Sequence, residues 1–189
     1  KGAVERDIPV VYLANRIDLV HQPAETFWKC EIPNGIVRAD VPQDPHRVQI
    51  CSKDTLYERC IKPSEQFREP LPYESARPLV IIDEGHISSQ ETVWSLVERY
   101  NNPWVVCFTA TPILPNGKGL GAYYDRKVVA ATYSGLKQIG LLAEMACYGP
   151  KPIDLTDMRQ VVGRAVEHWR QWAGDRKTLV FCRSVAHSQ

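Results

Sequence analysis

The stretch Leu79-Val80-Ile81-Ile82-Asp83-Glu84-Gly85-His86 decides how this sequence folds. Its aliphatic run follows Pro78 without a polar interruption, which predicts a short strand buried on both faces of a parallel sheet. Two carboxylates follow where that strand ends, and open α/β sheets bind their ligands at the carboxyl ends of strands. Burying acids there is costly unless a cation lies close by, so a magnesium ion with a phosphate group is the simplest ligand.

Asp83, Glu84 and His86 are the candidate catalytic residues. We expect Asp83 to hold Mg²⁺, mainly through water, and Glu84 to orient and deprotonate an attacking water molecule. We expect His86 to sense the phosphate or to relay its state. The alternative is a strand that simply ends in solvated acids, because four-residue motifs recur by chance.

Other apolar runs predict strands beside the first one. Helical spacing of apolar residues lies between them, and this alternation predicts an α/β fold with a parallel sheet flanked by helices. The predicted strands are Val10–Leu13, Val48–Cys51, Val105–Thr109 and Thr178–Cys182, and the predicted helices cover Ala24–Cys30, Thr92–Tyr100 and Met158–Trp172. A loop or short edge hairpin is expected between the first helix and Arg47, and the proline-rich segment Pro63–Pro78 is expected to be an exposed connector.

A change of composition at Gly149-Pro150-Lys151-Pro152 indicates a linker. We therefore predict one domain over residues 1–149, and a linker with the beginning of a second domain over residues 150–189.

Thr109-Ala110-Thr111-Pro112 ends the strand that follows the acidic motif. The hydroxyl groups of Thr109 and Thr111 are able to hydrogen-bond to an adjacent acidic site and to transmit its state to a moving domain. An ordinary turn capped by threonine is the alternative interpretation.

Two further strand ends carry groups that suit a nucleic-acid backbone. Asn15 and Arg16 lie where the first strand ends and a helix begins, so backbone N–H groups and a guanidinium face a phosphate there. Ser52, Lys53 and Thr55 open the next helix and offer hydroxyls and an ammonium group to a sugar-phosphate chain. For both sets the alternative is a capped helix on the surface.

Composition excludes some classes of protein. The net charge is +1 and the pI about 7.8, so bulk charge indicates no partner. No run approaches the roughly 20 apolar residues of a membrane span. The six cysteines form no CxxC pair, which disfavours zinc and favours a reduced, cytoplasmic protein.

Taken together and in this order, these motifs resemble superfamily 2 helicases and translocases of the DEAD/DEAH-box type. Leu13–Gln22 is similar to motif Ia, Ser52–Leu56 to the motif that follows it on the nucleic-acid path, and Asp83–His86 to the Walker B motif. Thr109–Pro112 is similar to motif III, and Thr178–His187 to motif IV. The resemblance is strongest to bacterial and phage members related to the motor subunit of type III restriction enzymes.

The resemblance implies a RecA-like sheet followed by the start of a second RecA-like domain. It implies ATP and Mg²⁺ as cofactors, with Asp83 at the metal, and an enzyme that couples ATP hydrolysis to movement on nucleic acid. DNA is favoured over RNA as the partner, and no membrane is involved. Arg183 and Ser184, in the polar turn of the motif IV segment, join Asn15, Arg16 and the helix-opening residues as nucleic-acid-binding candidates. The oligomeric state stays open.

The sequence departs from the family pattern at several points. No GxxxxGK[ST] phosphate-binding loop and no arginine-finger motif occurs in the 189 residues. Gly85 stands where the family has alanine, and Ile113-Leu114 stands where close relatives often carry arginine. Because phosphoryl transfer needs the phosphate cradle, the metal and the arginine together, we expect the isolated polypeptide neither to bind ATP tightly nor to hydrolyse it, whereas the parent protein does both.

Two other functions remain open at this stage. One is a metal-dependent phosphoesterase that uses Asp83, Glu84 and His86, although such sites usually gather more histidine and acid ligands. The other is a non-catalytic nucleic-acid-binding module that keeps the motor fold as a scaffold.

Overall fold

The computed structural model describes residues 1–39, 41, 46–86, 90–146, 165–181, 184 and 186. The chain divides into two compact units, Lys1–Lys127 and Val128–Gln189. The predicted linker at residues 149–152 lies outside the described residues, so the predicted domain boundary stays a prediction. No helix in the described part of the chain is long and apolar enough to cross a membrane.

The first unit is built on a five-stranded parallel sheet. The strand order is β2-β3-β1-β4-β5, so the first and fourth strands of the chain lie side by side in the middle. This architecture confirms the predicted α/β fold with a RecA-like parallel sheet. The strands are β1 (Val10–Ala14), β2 (Gly35–Val37), β3 (Val48–Ser52), β4 (Leu79–Asp83) and β5 (Trp104–Phe108).

Short helices connect these strands. In the first unit they are α1 (Gly2–Glu5), α2 (His21–Lys29), α3 (Lys53–Leu56) with a π-helical continuation over Tyr57–Ile61, and α4 (Gln90–Val97). Single 3₁₀ turns occur at Ile17–Leu19, Glu65–Phe67 and Leu120–Ala122. The described helices of the second unit are α5 (Tyr133–Gln138) and α6 (Ala165–Trp172).

Apolar side chains cover the two faces of the sheet unequally. On one face Val11, Leu13, Val80 and Ile82 join a large cluster with α4 residues such as Leu96. On the other face a smaller cluster forms from Ala14, Ile50, Val20 and Ala24, with Tyr12 and Phe27 packed against it. Consecutive strand residues point to opposite faces, so β1 and β3 contribute to both clusters, whereas β4 contributes Val80 and Ile82 to the larger one.

The segment between the first helix and Arg47 differs from the prediction. Helix α2 begins at His21 and is longer than expected, and β2 is a parallel edge strand beside β3 rather than part of a hairpin. Helix α2 connects the carboxyl end of β1 to the amino end of β2. The strand β2 therefore runs in the same direction as β1 and β3. This replaces the predicted loop or hairpin.

The proline-rich segment Pro63–Pro78 is not simply an exposed connector. Leu71, Pro72 and Pro78 are buried. Glu74 forms an ion pair with Arg99, which anchors the segment next to the end of α4. The prediction of exposure therefore holds for residues 64–67 and is wrong for Leu71, Pro72 and Pro78, which pack into the first unit.

The predicted strand at the C-terminus is also wrong over its described residues. Thr178–Phe181 has no strand partner in the described part of the chain, and Phe181 is 90% exposed. An aliphatic run becomes a strand only where a neighbour pairs with it. The helix before it ends as predicted, with Gly174 at φ +53 just beyond α6, while residues 158–164 of that prediction lie outside the described residues.

Candidate active site

The polar strand ends share one edge of the sheet. Because β1, β3, β4 and β5 are parallel and aligned, the loops that leave their carboxyl ends emerge side by side. In the register Asp83 lies beside Phe108, Leu13 beside Ile82, and Ala14 beside Ser52. The acidic motif therefore lies between the loop that begins at Thr109 and the loop that begins at Asn15.

His86 connects the acidic loop to the threonine turn. Its Nδ1 atom lies 2.6 Å from Thr109 Oγ1 and 3.2 Å from Glu84 Oε2. His86 is mostly buried, with 20% of its side chain exposed, so these contacts form in a partly desolvated place. Two neighbouring strands thus end in groups that contact each other through a single imidazole ring.

The contacts of Thr109 indicate where the imidazole proton lies. Thr109 Oγ1 accepts a hydrogen bond from the Thr111 backbone N–H and donates one to the Thr111 carbonyl, each at 3.1 Å. A hydroxyl has one proton to donate, so the arrangement that satisfies every contact has His86 Nδ1–H donating to Thr109. A proton on Nδ1 also faces the Glu84 carboxylate.

Glu84 has an unusual backbone conformation. Its φ is +48, in the left-handed region that residues other than glycine seldom adopt. Its Oε2 atom is buried and contacts His86 Nδ1 at 3.2 Å without forming a complete hydrogen bond, although the side chain as a whole is 41% exposed. Strained backbone and an unsatisfied carboxylate oxygen on the same residue are typical of groups held in place for chemistry.

Gly85 packs against the strand that carries Thr109. A Cβ atom placed on residue 85 would lie 2.3 Å from Cys107 Sγ and 3.5 Å from the Tyr124 hydroxyl. Burial, followed by the interaction with the Cys107 thiol, raises the pKa of Tyr124 above its ordinary value. The glycine at this position is therefore explained by the thiol beside it.

Tyr12 reaches the acidic motif from β1. Its ring lies on the same face of the sheet as Asp83, diagonally across the pairing of β1 with β4, so the hydroxyl experiences the charge of the Asp83 carboxylate. Burial raises the pKa of this phenol above its ordinary value, and the negative charges of Asp83 and Glu84 raise it further. The phenol of Tyr12 therefore stays neutral beside these two carboxylates.

The predicted nucleic-acid-binding residues are close together but differ in exposure. Arg16 is exposed at the end of β1, and Asn15 is half-buried beside it. Ser52 is buried and caps α3 by accepting the Thr55 backbone N–H at 3.5 Å. Lys53 is also buried, and its Nζ lies 2.5 Å from Asp54 Oδ1. The capped helix start is therefore present, and a phosphate contact by Ser52, Lys53 or Thr55 stays a prediction.

The remaining predicted residues lie further along the chain. Thr111 takes part in the Thr109 turn through its backbone, and its side chain is exposed. Ser184 is exposed in the second unit, and Arg183 lies outside the described residues.

Comparison with known proteins agrees with this geometry. Residues 3–114, more than half of the chain, match the family described as type III restriction enzyme, res subunit. The chain belongs to this family, ResIII. ResIII proteins are helicase-like ATPases, and the matched residues include all five strands of the sheet and the contacts between Glu84, His86 and Thr109.

A phage protein is also similar to this ResIII chain. The 51.5 kDa protein of Lactococcus phage (isolate 7-9) is 24% identical over 207 residues. The match covers 100% of this chain and 41% of the phage protein, so the chain spans less than half the length of that relative.

The acidic motif of this ResIII chain suits a magnesium ion better than a metal held by protein ligands alone. The described residues contain no group of three or more His, Cys, Asp and Glu side chains arranged to hold a metal. Mg²⁺ usually keeps several waters and uses one or two carboxylates together with substrate phosphates. Asp83, the last residue of β4, supplies one carboxylate to an incomplete oxygen site of that kind.

Three residues at this ResIII site were not singled out from sequence. Tyr12 and Cys107 are inside apolar strands, and Tyr124 follows a glycine-rich segment, so each resembles an ordinary packing residue. For Tyr12 the available signal was a tyrosine within an otherwise aliphatic strand, because a buried tyrosine hydroxyl usually finds a hydrogen-bond partner. Identifying that partner requires the register of β1 against β4.

Proposed function

We propose that this chain is the part of an ATP-dependent helicase or translocase that couples Mg-ATP hydrolysis to movement on nucleic acid, with DNA as the preferred partner. The observation that carries the proposal is the contact of His86 with both Glu84 and Thr109. A hydrolytic residue and the end of the neighbouring strand are thereby joined in one polar cluster.

In this proposal Glu84 is the general base. Its carboxylate, whose Oε2 atom makes only the 3.2 Å contact with His86, accepts a proton from the water that attacks the terminal phosphate of the nucleotide. The left-handed backbone at Glu84 fixes the direction in which the carboxylate leaves β4. Asp83 is the residue that would hold Mg²⁺, which neutralises charge on the phosphate oxygens when bound.

His86 and Thr109 serve as the coupling pair. A change of charge or position at Glu84 alters the attraction it exerts on the Nδ1–H group of His86. The imidazole passes that change to Thr109, whose oxygen also holds the turn that follows β5. A turn with two alternative arrangements is the kind of element that transmits a site's state to a moving domain.

Arg16 is proposed as the phosphate contact on the nucleic-acid path. It is exposed at the carboxyl edge of β1, next to the strand that carries Asp83. Contacts to phosphate oxygens hold the strand without reading its sequence. Such contacts suit a motor, which has to bind each successive step of a strand.

The phosphoesterase alternative has less support. Two-metal phosphoesterases gather several acid and histidine ligands around their ions. The described residues hold no cluster of three such side chains. The strand next to the acidic motif ends in Thr109 rather than in a further ligand.

Glu84→Gln tests the catalytic proposal in a full-length protein that contains this chain. We expect the rate of ATP hydrolysis to fall by at least about 100-fold, while ATP affinity stays within a few-fold of the original. Glu98→Gln, which neutralises an exposed carboxylate just beyond α4, is the matched control and should leave both unchanged. Hydrolysis that survives Glu84→Gln would favour the non-catalytic scaffold.

Arg16→Ala tests the nucleic-acid contact. Loss of one phosphate contact should weaken binding of single-stranded DNA of any sequence and reduce the salt dependence of affinity by about one ion. Lys29→Ala removes an exposed cation from the last turn of α2 and serves as the control. Equal losses in both variants would assign the effect to overall charge. Parallel titrations with RNA of the same sequence test the preference for DNA.

A further inference from the structure

Tyr12 and Asp83 lie on the same face of the sheet. Tyr12 is in register with Ile81 on the adjacent strand, and Asp83 lies two residues further along that strand. Because side chains alternate between faces, residues two apart on β4 project to the same side. The phenol therefore extends diagonally from β1 towards the carboxyl end of β4.

The ring of Tyr12 is held in one direction by its neighbours. It packs edge-on against Phe27 of α2, with ring centroids 6.0 Å apart and planes at 89°. It belongs to the smaller apolar cluster of the sheet. A ring supported in this way presents its hydroxyl at a fixed place on the face of the sheet that Asp83 shares, and an aromatic side chain is long enough to reach a diagonal neighbour.

In the part of the chain that the structure describes, Asp83 has no cationic partner to orient its carboxylate. None of the ion pairs between described residues includes it. A neutral hydroxyl that donates to one carboxylate oxygen restrains the rotation of the group and leaves its negative charge in place. A cationic partner would restrain it equally well but would compete with a metal ion for the charge.

We propose that Tyr12 is a positioning residue, whose hydroxyl fixes the Asp83 carboxylate in the orientation that binds a divalent cation. This inference rests on the metal role given to Asp83 in the proposed function. Groups that hydrogen-bond to a metal ligand typically contribute 10- to 100-fold in metal affinity. The same tyrosine with its hydroxyl removed keeps the packing on Phe27 and loses only the orientation.

The test uses Mn²⁺ as a probe of the isotopically labelled 189-residue chain. Its half-saturating concentration is read from paramagnetic broadening of the amide NMR signals of residues 83–85. We expect Tyr12→Phe to raise that concentration about tenfold. Tyr73→Phe, which removes a hydroxyl that donates to the His46 carbonyl before β3 begins, should leave it unchanged.

A second readout needs neither metal nor substitution. Exchange of the Tyr12 hydroxyl proton for deuterium should shift the side-chain carboxyl carbon signal of Asp83 in the unsubstituted chain. In Tyr12→Phe this isotope shift should vanish. Absence of the shift in the unsubstituted chain overturns the inference even if the variant fails to fold.

Asp83→Asn distinguishes a failure of the metal role of Asp83 from a failure of the positioning role of Tyr12. If this change does not weaken Mn²⁺ binding, the metal role of Asp83 in the proposed function is wrong and the inference falls with it. If Asp83→Asn weakens binding while Tyr12→Phe does not, only the positioning role of Tyr12 is overturned. Weakening by both, with Tyr73→Phe unaffected, supports it.

Discussion

The Cys107 thiol occupies the space that a side chain on residue 85 would need. The Sγ atom lies 2.3 Å from the position of a Cβ on Gly85, which is shorter than any ordinary contact between these atoms. The sulfur is held in the larger apolar cluster beside Tyr124. Residue 85 is therefore a glycine because Cys107, on the neighbouring strand β5, fills the space beside it.

Gly85→Ala should destabilise the chain, and Cys107→Ala should relieve most of that effect. Overpacking of a fixed site typically costs about 1–3 kcal/mol. The free energy of unfolding of both single variants and the double variant, measured in urea, gives the coupling between the two positions. Gly121→Ala is the control, because a Cβ there meets nothing within 4 Å. Additive effects of the two substitutions would contradict the proposed clash.

Removing the contact between His86 and Thr109 should uncouple hydrolysis from nucleic-acid binding. Thr109→Val keeps the shape of the side chain and removes the oxygen that faces His86 and also holds the Thr111 backbone, whereas His86→Ala removes the contact and leaves the Thr109–Thr111 hydrogen bonds in place. Thr109→Val and His86→Ala should each reduce the nucleic-acid stimulation of ATP hydrolysis in the full-length protein about tenfold. The double variant should be little worse than either, because residues that act as a unit are not additive.

Thr111→Val is the matched control for this experiment. Thr111 contributes to the same turn through its backbone N–H and carbonyl, which the substitution leaves intact. Loss of stimulation in Thr111→Val equal to that in Thr109→Val would assign the effect to the turn as a whole, and not to the contact with His86.

The elements that the sequence predicts best are those whose pattern is local. Strand β4 has the predicted bounds because an unbroken aliphatic run between Pro78 and two acids leaves little freedom. The three-residue strand β2 depends on its pairing with β3. Thr178–Phe181 has no such partner among the described residues, despite its composition. Pairing is a property of the whole sheet and leaves no signal in a short segment.

In the candidate site, too, some features could be predicted from the sequence and others depend on contacts between distant segments. The order of the strands made Asp83 and Thr109 neighbours by a general rule for parallel sheets, so their proximity was predictable. The placement of Tyr12 on the same face as Asp83 depends on register, and the fit of Gly85 to Cys107 depends on the distance between two backbones. Such relationships between distant segments require coordinates.

The ion pair of Arg99 with Glu74 should be a major stabilising contact of the first unit. Arg99 Nε lies 2.8 Å from Glu74 Oε1, and Arg99 Nη1 donates to the Cys60 carbonyl at 2.6 Å. Arg99→Met leaves a mostly buried carboxylate unpaired and should lower the free energy of unfolding by about 2–3 kcal/mol. Urea denaturation monitored by circular dichroism measures the change.

Two further variants define this prediction. Lys62→Met removes the cation of the exposed Lys62–Glu58 pair and should leave stability nearly unchanged. Adding Glu74→Met to Arg99→Met should restore part of the loss, because no uncompensated charge then remains. A double variant that is less stable than Arg99→Met would contradict this account.

Cys60 should make the chain less stable in alkaline solution. Burial, with a smaller contribution from Glu69, raises the pKa of this thiol to about 11 from its usual 9.0. The unfolded chain therefore loses the Cys60 proton at a lower pH than the folded chain, so the stabilising contribution is complete below about pH 9 and declines towards about pH 11. Between these limits the free energy of unfolding should fall as pH rises.

Cys60→Ala isolates this effect from other alkaline titrations. The fully buried Cys51 also has a pKa raised by burial, so some dependence on pH should remain in the variant. The free energy of unfolding of both proteins, measured in urea with reductant at several pH values across this range, gives two slopes. Cys60→Ala should be less stable at neutral pH, because a buried sulfur is removed, and should have the shallower slope. Equal slopes would show that the Cys60 thiol does not ionise differently in the folded and unfolded chain.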